Sequence, residues 1–180
     1  IVDHLHIPIQ AASNKVLEVM NRKYDIEYFK DKISEIRAIR PNISITTDII
    51  VGHPKEDDET FERSIDTLKE INFSKLHVFP YSKRDGTVAA SLQQVDEQTK
   101  KDRAHKLLAL SKELELNYMN KFLNKELEVL FERTIDGYSI GHTSNYLQIK
   151  VKEEIESGTF KNIELTSIEY PYIIGKTKGN

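Results

Sequence analysis

Residues 47–56, TDIIVGHPKE, decide how the chain is read. A β-branched run from Ile43 to Val51 breaks at Gly52 and Pro54, and an acidic helix start follows at Asp57-Asp58-Glu59. Continuous apolar strands are those covered on both faces, so the run is expected to be a buried parallel strand feeding a short loop and a helix. In barrels and open α/β sheets, ligands sit at the carboxyl ends of such strands. Asp48 stands inside the run, and a carboxylate there requires a partner.

Working outward from this strand, residues 1–9, IVDHLHIPI, alternate as a second strand that Pro8 ends. Ser13 or Asn14 is placed to cap a short helix reaching about Met20. Asp25 is placed to cap a helix over about 26–40, with Tyr28, Phe29, Ile33, Ile36 and Ile39 as its apolar face and Pro41 as its stop. After the central strand, Phe61, Ile65, Leu68 and Ile71 space a helix over about 57–70, whose acidic start suits the positive end of its dipole. Residues 74–81, SKLHVFPY, make a third strand, followed by a polar loop over 82–94. The order β-α-α-β-α-β leaves each connection long enough for a parallel crossover.

Residues 96–123 predict one long charged helix with Leu107, Leu108, Leu110, Leu114 and Tyr118 as its stripe, a connector between domains. Beyond Asn124 come short strand-like runs at about 127–132, 145–152, 162–169 and 172–176, punctuated by Gly137, Gly141, Gly158 and Gly175. That spacing predicts a small β-barrel. The expected domains are residues 1–124 and 125–180.

Hydrophobic content of 38% against 31% charged residues is expected of a soluble globular chain, and no run reaches membrane-span length. A net charge of −3 with both signs interspersed excludes a global basic field, so any nucleic-acid patch must be local. The sequence contains no cysteine. Within this chain that excludes disulfides, thiolate zinc sites and a cysteine-ligated iron–sulfur cluster, and it fits a reducing, cytoplasmic setting. The chain starts at Ile1-Val2, already inside a strand pattern, and is expected to be a piece of a longer protein. Its first strand would then be an exposed edge prone to pair with other chains.

Residues 4–24, HLHIPIQAASNKVLEVMNRKY, resemble the fourth barrel strand, loop and helix of the radical S-adenosylmethionine methylthiotransferases. Residues 46–61, TTDIIVGHPKEDDETF, resemble the fifth strand and loop of that family, and residues 75–90, KLHVFPYSKRDGTVAA, the sixth. Residues 137–151, GYSIGHTSNYLQIKV, are similar to its TRAM module, a small RNA-binding barrel. MNRKY and LHVFPYSKR are closest to the branch that modifies threonylcarbamoyladenosine beside the tRNA anticodon. The resemblance implies the carboxyl-terminal half of a partial (β/α) barrel, about three parallel strands with helices, followed by an all-β TRAM barrel. It implies methylthio addition to an adenine by radical chemistry, with S-adenosylmethionine and two 4Fe–4S clusters as cofactors. Cysteines outside this chain, including a CxxxCxxC motif, would hold the clusters. The implied partners are tRNA and the amino-terminal part of the same polypeptide, and the chain alone is not expected to be active.

Gln10 and Arg22 match positions that contact the ribose and the methionine carboxylate of S-adenosylmethionine in related enzymes. An amide suits a sugar and a guanidinium fork suits a carboxylate, whereas the plainer alternative is a loop-capping Gln and an Arg closing a helix. Asp48 matches an acid that accepts from a ribose hydroxyl; alternatively it is a buried acid satisfied by backbone or by a histidine. Gly52 either lets the backbone approach the ligand or simply makes a tight turn. His4, His6 and His77 are expected to be structural imidazoles rather than a metal site.

In the tail, Tyr138, His142, Asn145, Tyr146, Lys150 and Lys152 are the candidate stacking and phosphate surface for tRNA, against the alternative of an ordinary barrel surface. Residues 125–180 hold 7 Lys and Arg against 9 Asp and Glu, with Lys176 and Lys178 near the end. Three stretches depart from the family pattern: Ala11-Ala12 where Ser-Gly is usual, His53 and Lys55 where Phe and Gly are usual, and Asp85 and Val88 in the third loop, with Val88 where Pro is usual. The rival reading is a non-catalytic RNA-binding module on a degenerate scaffold. An α/β metal hydrolase built on the histidines is a third.

Overall fold

Asp25 and Asp57 each end an extended segment and accept the N–H of the third residue onward, Tyr28 and Thr60, both at 2.8 Å. The Asp25 cap is the one the sequence predicts, whereas Asp57, expected at the start of the helix itself, is a cap and the helix begins at Asp58. The computed structural model describes residues 2–177. Ile1 and Lys178, both invoked above, lie outside the described residues.

The elements run β1 (His4–His6), α1 (Asn14–Val19), α2 (Ile26–Ile39), β2 (Ser44–Val51), α3 (Asp58–Ile71), β3 (Lys75–Pro80) and α4 (Glu97–Asn120). They continue with β4 (Glu126–Ile135), β5 (Tyr138–Thr143), β6 (Gln148–Val151), β7 (Phe160–Glu169) and β8 (Tyr172–Thr177). The chain divides into two units: residues 5–41 with 45–115, and residues 2–4, 42–44 and 116–177.

The parallel sheet has the order β1-β2-β3. β2 and β3 pair in parallel from Thr46↔Lys75 to Val51↔Pro80. On the other edge the Gln10 N–H reaches Asp48 O (3.0 Å) and the Ile50 N–H reaches Gln10 O (2.8 Å), so the first segment extends alongside β2 to its carboxyl end. Ile9, Leu17, Ile45, Leu68, Phe73 and Leu107 are buried between sheet and helices.

Three apolar positions do not pack as expected. Tyr28 and Ile39 of α2 and Leu108 of α4 are exposed, because the buried stripes are narrow: Ile26, Phe29 and Ile33 on α2, and Leu107, Leu110 and Leu114 on α4. Neighbours in a helix are 100° apart, which carries Tyr28 and Leu108 off those stripes. Ser13 occupies the N-cap position of α1 but its side chain makes no capping bond. Asn14 acts instead across the next turn, its Oδ1 accepting from Ile26 N–H at 2.8 Å.

The second unit is a closed barrel in the order β4-β5-β6-β8-β7. It has five strands where the sequence suggested four; β5 was missed because residues 138–143, YSIGHT, contain little that is conventionally apolar. Ser139 is nevertheless fully buried, its hydroxyl accepting from Ile155 N–H and donating to Glu153 O, both at 2.8 Å. Val129, Phe131, Ile149, Ile163, Leu165 and Ile173 fill the interior, with Tyr118, Met119 and Phe122 closing it. No described helix is long and apolar enough to cross a membrane.

Candidate functional site

The carboxyl ends of the three parallel strands border a cleft of about 800 Å³. Gln10, Arg22 and Asp48 all line it, so three residues distant in sequence are brought to one place. Gln10 holds a positive φ of 67° that a non-glycine residue rarely adopts, fixed by backbone bonds to β2 on both sides. Asp48 is half-buried, with Oδ1 3.3 Å from His6 Nε2, and His6 Nδ1 lies 2.9 Å from Thr46 Oγ1. The acid is therefore partnered by a histidine and still faces the cleft. His6 also meets the edge of His77 at 5.5 Å between ring centroids. Arg22 follows α1, where its N–H bonds Leu17 O, and its guanidinium makes no hydrogen bond or ion pair among the described residues. It is a cation open to an anionic group.

Sequence reasoning missed much of the remaining lining. Val19, Met20 and Ile50 supply apolar surface, Phe79 and Tyr81 come from the end of β3, and Arg84 stands in the following loop, where Val88, already marked as a departure from the family pattern, also lines the cleft. The signal was available for Phe79, Tyr81 and Arg84, which lie at or just past the carboxyl end of a third strand expected to run parallel to the other two.

Gly52 is not part of that lining. Its φ is +77°, its N–H donates to Glu56 Oε1 (2.8 Å), and a Cβ added there would lie 2.5 Å from Lys100 Cγ. The glycine closes the loop and lets the Lys100 stem of α4 pack behind it. Glu56 is buried, and burial pushes its carboxyl pKa up, opposed by the Gly52 N–H and by Arg103. Arg103 donates to Glu56 O (2.9 Å), Glu56 Oε1 (3.1 Å) and Asp58 Oδ1 (2.7 Å), tying the loop to α4.

His53 is buried on the cleft side of the same loop, its ring edge-on to Tyr81 at 5.1 Å. Burial pushes its pKa down from the ordinary 6.5, so the folded state resists protonation. Below about pH 6.5 the unfolded chain gains a proton that the folded one refuses, so stability falls as the pH drops through that range. His53→Phe is expected to remove this increment. Urea unfolding at pH 7.5 and 5.0 should show a smaller acid loss in the variant than in the parent, and equal losses would contradict the assignment.

On the barrel, Tyr138 and His142 lie on the outer face of β5, with Lys150 of β6 opposite Ile140 between them. Lys150 Nζ sits 4.2 Å from the Tyr138 ring centroid and 5.8 Å from that of Tyr172, both within cation–π range. His142 Nδ1 is 2.9 Å from Glu132 Oε2, and its ring is 6.0 Å from Tyr146, which is exposed. Lys152 is exposed just past β6. Asn145 is different: it is buried, its Nδ2 donating to the Tyr118 hydroxyl at 2.9 Å and its Oδ1 accepting from Thr143 Oγ1. It supports the surface rather than presenting to it.

The cleft thus offers a carboxylate and an amide to a diol, a guanidinium to a carboxylate, and apolar surface to a flat ring. Among the described residues no group of three or more His, Asp or Glu side chains is arranged to hold a metal ion, and the chain has no thiolate, so its own residues do not fit an iron–sulfur cluster.

The family model of the radical SAM superfamily matches residues 1–68. The chain is 41% identical to the threonylcarbamoyladenosine tRNA methylthiotransferase of Bacillus subtilis, over 98% of this chain and 41% of that protein. It is 45% identical to the tRNA-2-methylthio-N(6)-dimethylallyladenosine synthase of Natranaerobius thermophilus, over 75% of this chain and 29% of that protein. The synthase of the same name from Thermodesulfovibrio yellowstonii is 39% identical over 92% of this chain and 39% of its own length. The chain therefore spans no more than about two fifths of these curated relatives. Matches at this identity run through both the sheet and the barrel, and they place the chain in the radical S-adenosylmethionine methylthiotransferase family.

Proposed function

We propose that the chain supplies the cosubstrate-binding strand ends and the RNA-docking barrel of a tRNA methylthiotransferase acting on N6-threonylcarbamoyladenosine. The observation that carries this reading is the convergence of Gln10, Arg22 and Asp48 on one cleft at the carboxyl ends of parallel strands. S-adenosylmethionine fits that donor set: Asp48 and Gln10 face its ribose hydroxyls, Arg22 takes the methionine carboxylate, and Ile50, Val19 and Met20 offer a surface to the adenine. Gly52 shapes the loop from behind. The chemistry that the cosubstrate supplies when bound is radical generation, which requires a 4Fe–4S cluster held by cysteines elsewhere in the polypeptide. Residues 125–180 would dock the tRNA through Tyr138, His142, Tyr146, Lys150 and Lys152, with Asn145 beneath them. The threonylcarbamoyl branch is favoured by the 41% identity spread over 98% of the chain.

The binding half of this proposal needs no catalysis to test. Titration calorimetry of the chain with S-adenosylmethionine should give a one-site isotherm. Arg22→Ala should weaken it by about tenfold or more, the worth of a charge-assisted bond to a carboxylate. An isotherm unchanged in Arg22→Ala and Asp48→Asn would refute the site. A reading frame lacking an upstream CxxxCxxC would refute the catalytic half and leave the rival, a binding module.

A further inference from the structure

Tyr146 holds a φ of +63°, a conformation bulky side chains rarely adopt, yet the residue is 60% exposed. Burial of the ring therefore does not compensate the backbone. What imposes the conformation is a buried network beneath it. Tyr146 N–H donates to Thr143 O (3.0 Å), and Leu147 N–H donates to Thr143 Oγ1 (3.0 Å). Thr143 Oγ1 donates to Asn145 Oδ1 (2.5 Å), Asn145 Nδ2 to the Tyr118 hydroxyl (2.9 Å), and that hydroxyl to Asn42 O (2.7 Å). Glycine or asparagine would satisfy such a turn with less strain. Strain held in place by a fully satisfied network points from an outlier to a use.

Two imidazoles flank the ring. His4 of β1 lies 4.6 Å from it at an interplanar angle of 37°, and His142 lies 6.0 Å away at 49°, itself fixed by Glu132. His4 is distant in sequence from the barrel strands, and no sequence pattern joined it to them. We propose that Tyr146, backed by His4 and flanked by His142, is a stacking subsite for one unpaired nucleobase of an RNA single strand. The ligand class follows from the chemistry. An exposed aromatic ring accepts any base, and Lys150, on the outer face that carries His142, offers a cation to backbone phosphates. Stacking of this kind senses strandedness rather than sequence, because a duplex presents no free base face. The subsite rests on the reading of the barrel as the RNA-docking part.

The test is fluorescence anisotropy of an eight-nucleotide RNA and of its duplex with the complementary strand, on the whole chain, beside thermal unfolding of each variant. The parent should prefer the single strand by about tenfold, the scale of one base–aromatic stack. Tyr146→Gly should lose about that factor for the single strand while its unfolding midpoint stays equal or rises, since glycine relieves the positive φ. Tyr146→Phe should bind within about twofold of the parent, and His4→Ala should weaken binding about threefold. Single-strand affinity that survives Tyr146→Gly overturns the subsite alone. A lowered midpoint in Tyr146→Gly makes the ring structural and overturns it as well. Failure of the parent to bind either RNA overturns the docking reading itself, and the subsite with it.

Discussion

Arg103→Ala is expected to cost about 3–5 kcal/mol of folding stability, because it strands a buried carboxylate. Both side chains of the Arg103–Glu56 pair are only 7% exposed. The guanidinium satisfies Glu56 through its backbone oxygen and through Oε1, and without it the carboxylate keeps, among the described residues, the Gly52 N–H. The third limb, to Asp58, contributes little, since that side chain is 97% exposed. Burial already pushes the Glu56 pKa up, and losing the adjacent cation pushes it further the same way. A carboxyl whose pKa is raised on folding adds stability below its unfolded pKa and loses it as the pH rises through the folded pKa. The deficit of Arg103→Ala should therefore be larger at pH 8 than at pH 5, and adding Glu56→Gln should recover part of it at pH 8. Urea unfolding at the two pH values measures this. A deficit under about 1 kcal/mol, or one independent of pH, would mean that the pair is not holding the loop.

The loop that this pair secures shows what was and was not legible in the sequence. Strand, Gly-Pro break and acidic helix start are local signals, and they located β2, α3 and the strand end where Asp48 and Gln10 meet. The partners were not local. Nothing near residue 56 points to Arg103, because helix α4 passes 47 positions later and its residue spacing reveals which face is apolar, not what that face covers. Asp48 illustrates the same limit: its need for a partner was plain, but the choice of His6 depends on strand register. For Gly52 the sequence leaves ligand approach and a tight turn both open, and it carries no sign of the Lys100 stem that packs against the glycine. In the barrel, strands rich in Val, Leu and Ile were recognised, and the one built from Ser, Gly and Thr was not. Hydropathy reports what a side chain prefers, but a position pressed against the backbone of the neighbouring strand is selected for how little side chain it has.

Gly141 in that missed strand carries the other large expected effect. It pairs with Phe131 of β4, next to an irregularity in register between Phe131 and Arg133. A Cβ at Gly141 would lie 2.2 Å from Leu130 O, 2.8 Å from Leu130 C and 2.9 Å from Phe131 Cα. These are backbone atoms of a paired strand, so no rotamer change relieves the overlap. Overpacking absorbed by side chains typically costs about 1–3 kcal/mol, and Gly141→Ala is expected to reach or exceed about 3 kcal/mol because β4 itself must move. Gly175 makes the comparison informative. There the near atoms are Ile163 Cγ2 at 2.2 Å and Glu164 O at 3.2 Å, so most of the overlap falls on a side chain that can turn. Gly175→Ala should accordingly cost less than Gly141→Ala. Denaturant unfolding of the two variants, with amide exchange at Val129 and Phe131 as the local probe, should show the larger loss of protection in Gly141→Ala. Equal costs, or a Gly141→Ala protein as stable as the parent, would mean that β5 does not approach β4 this closely. The strand would then owe its small residues to something other than barrel closure.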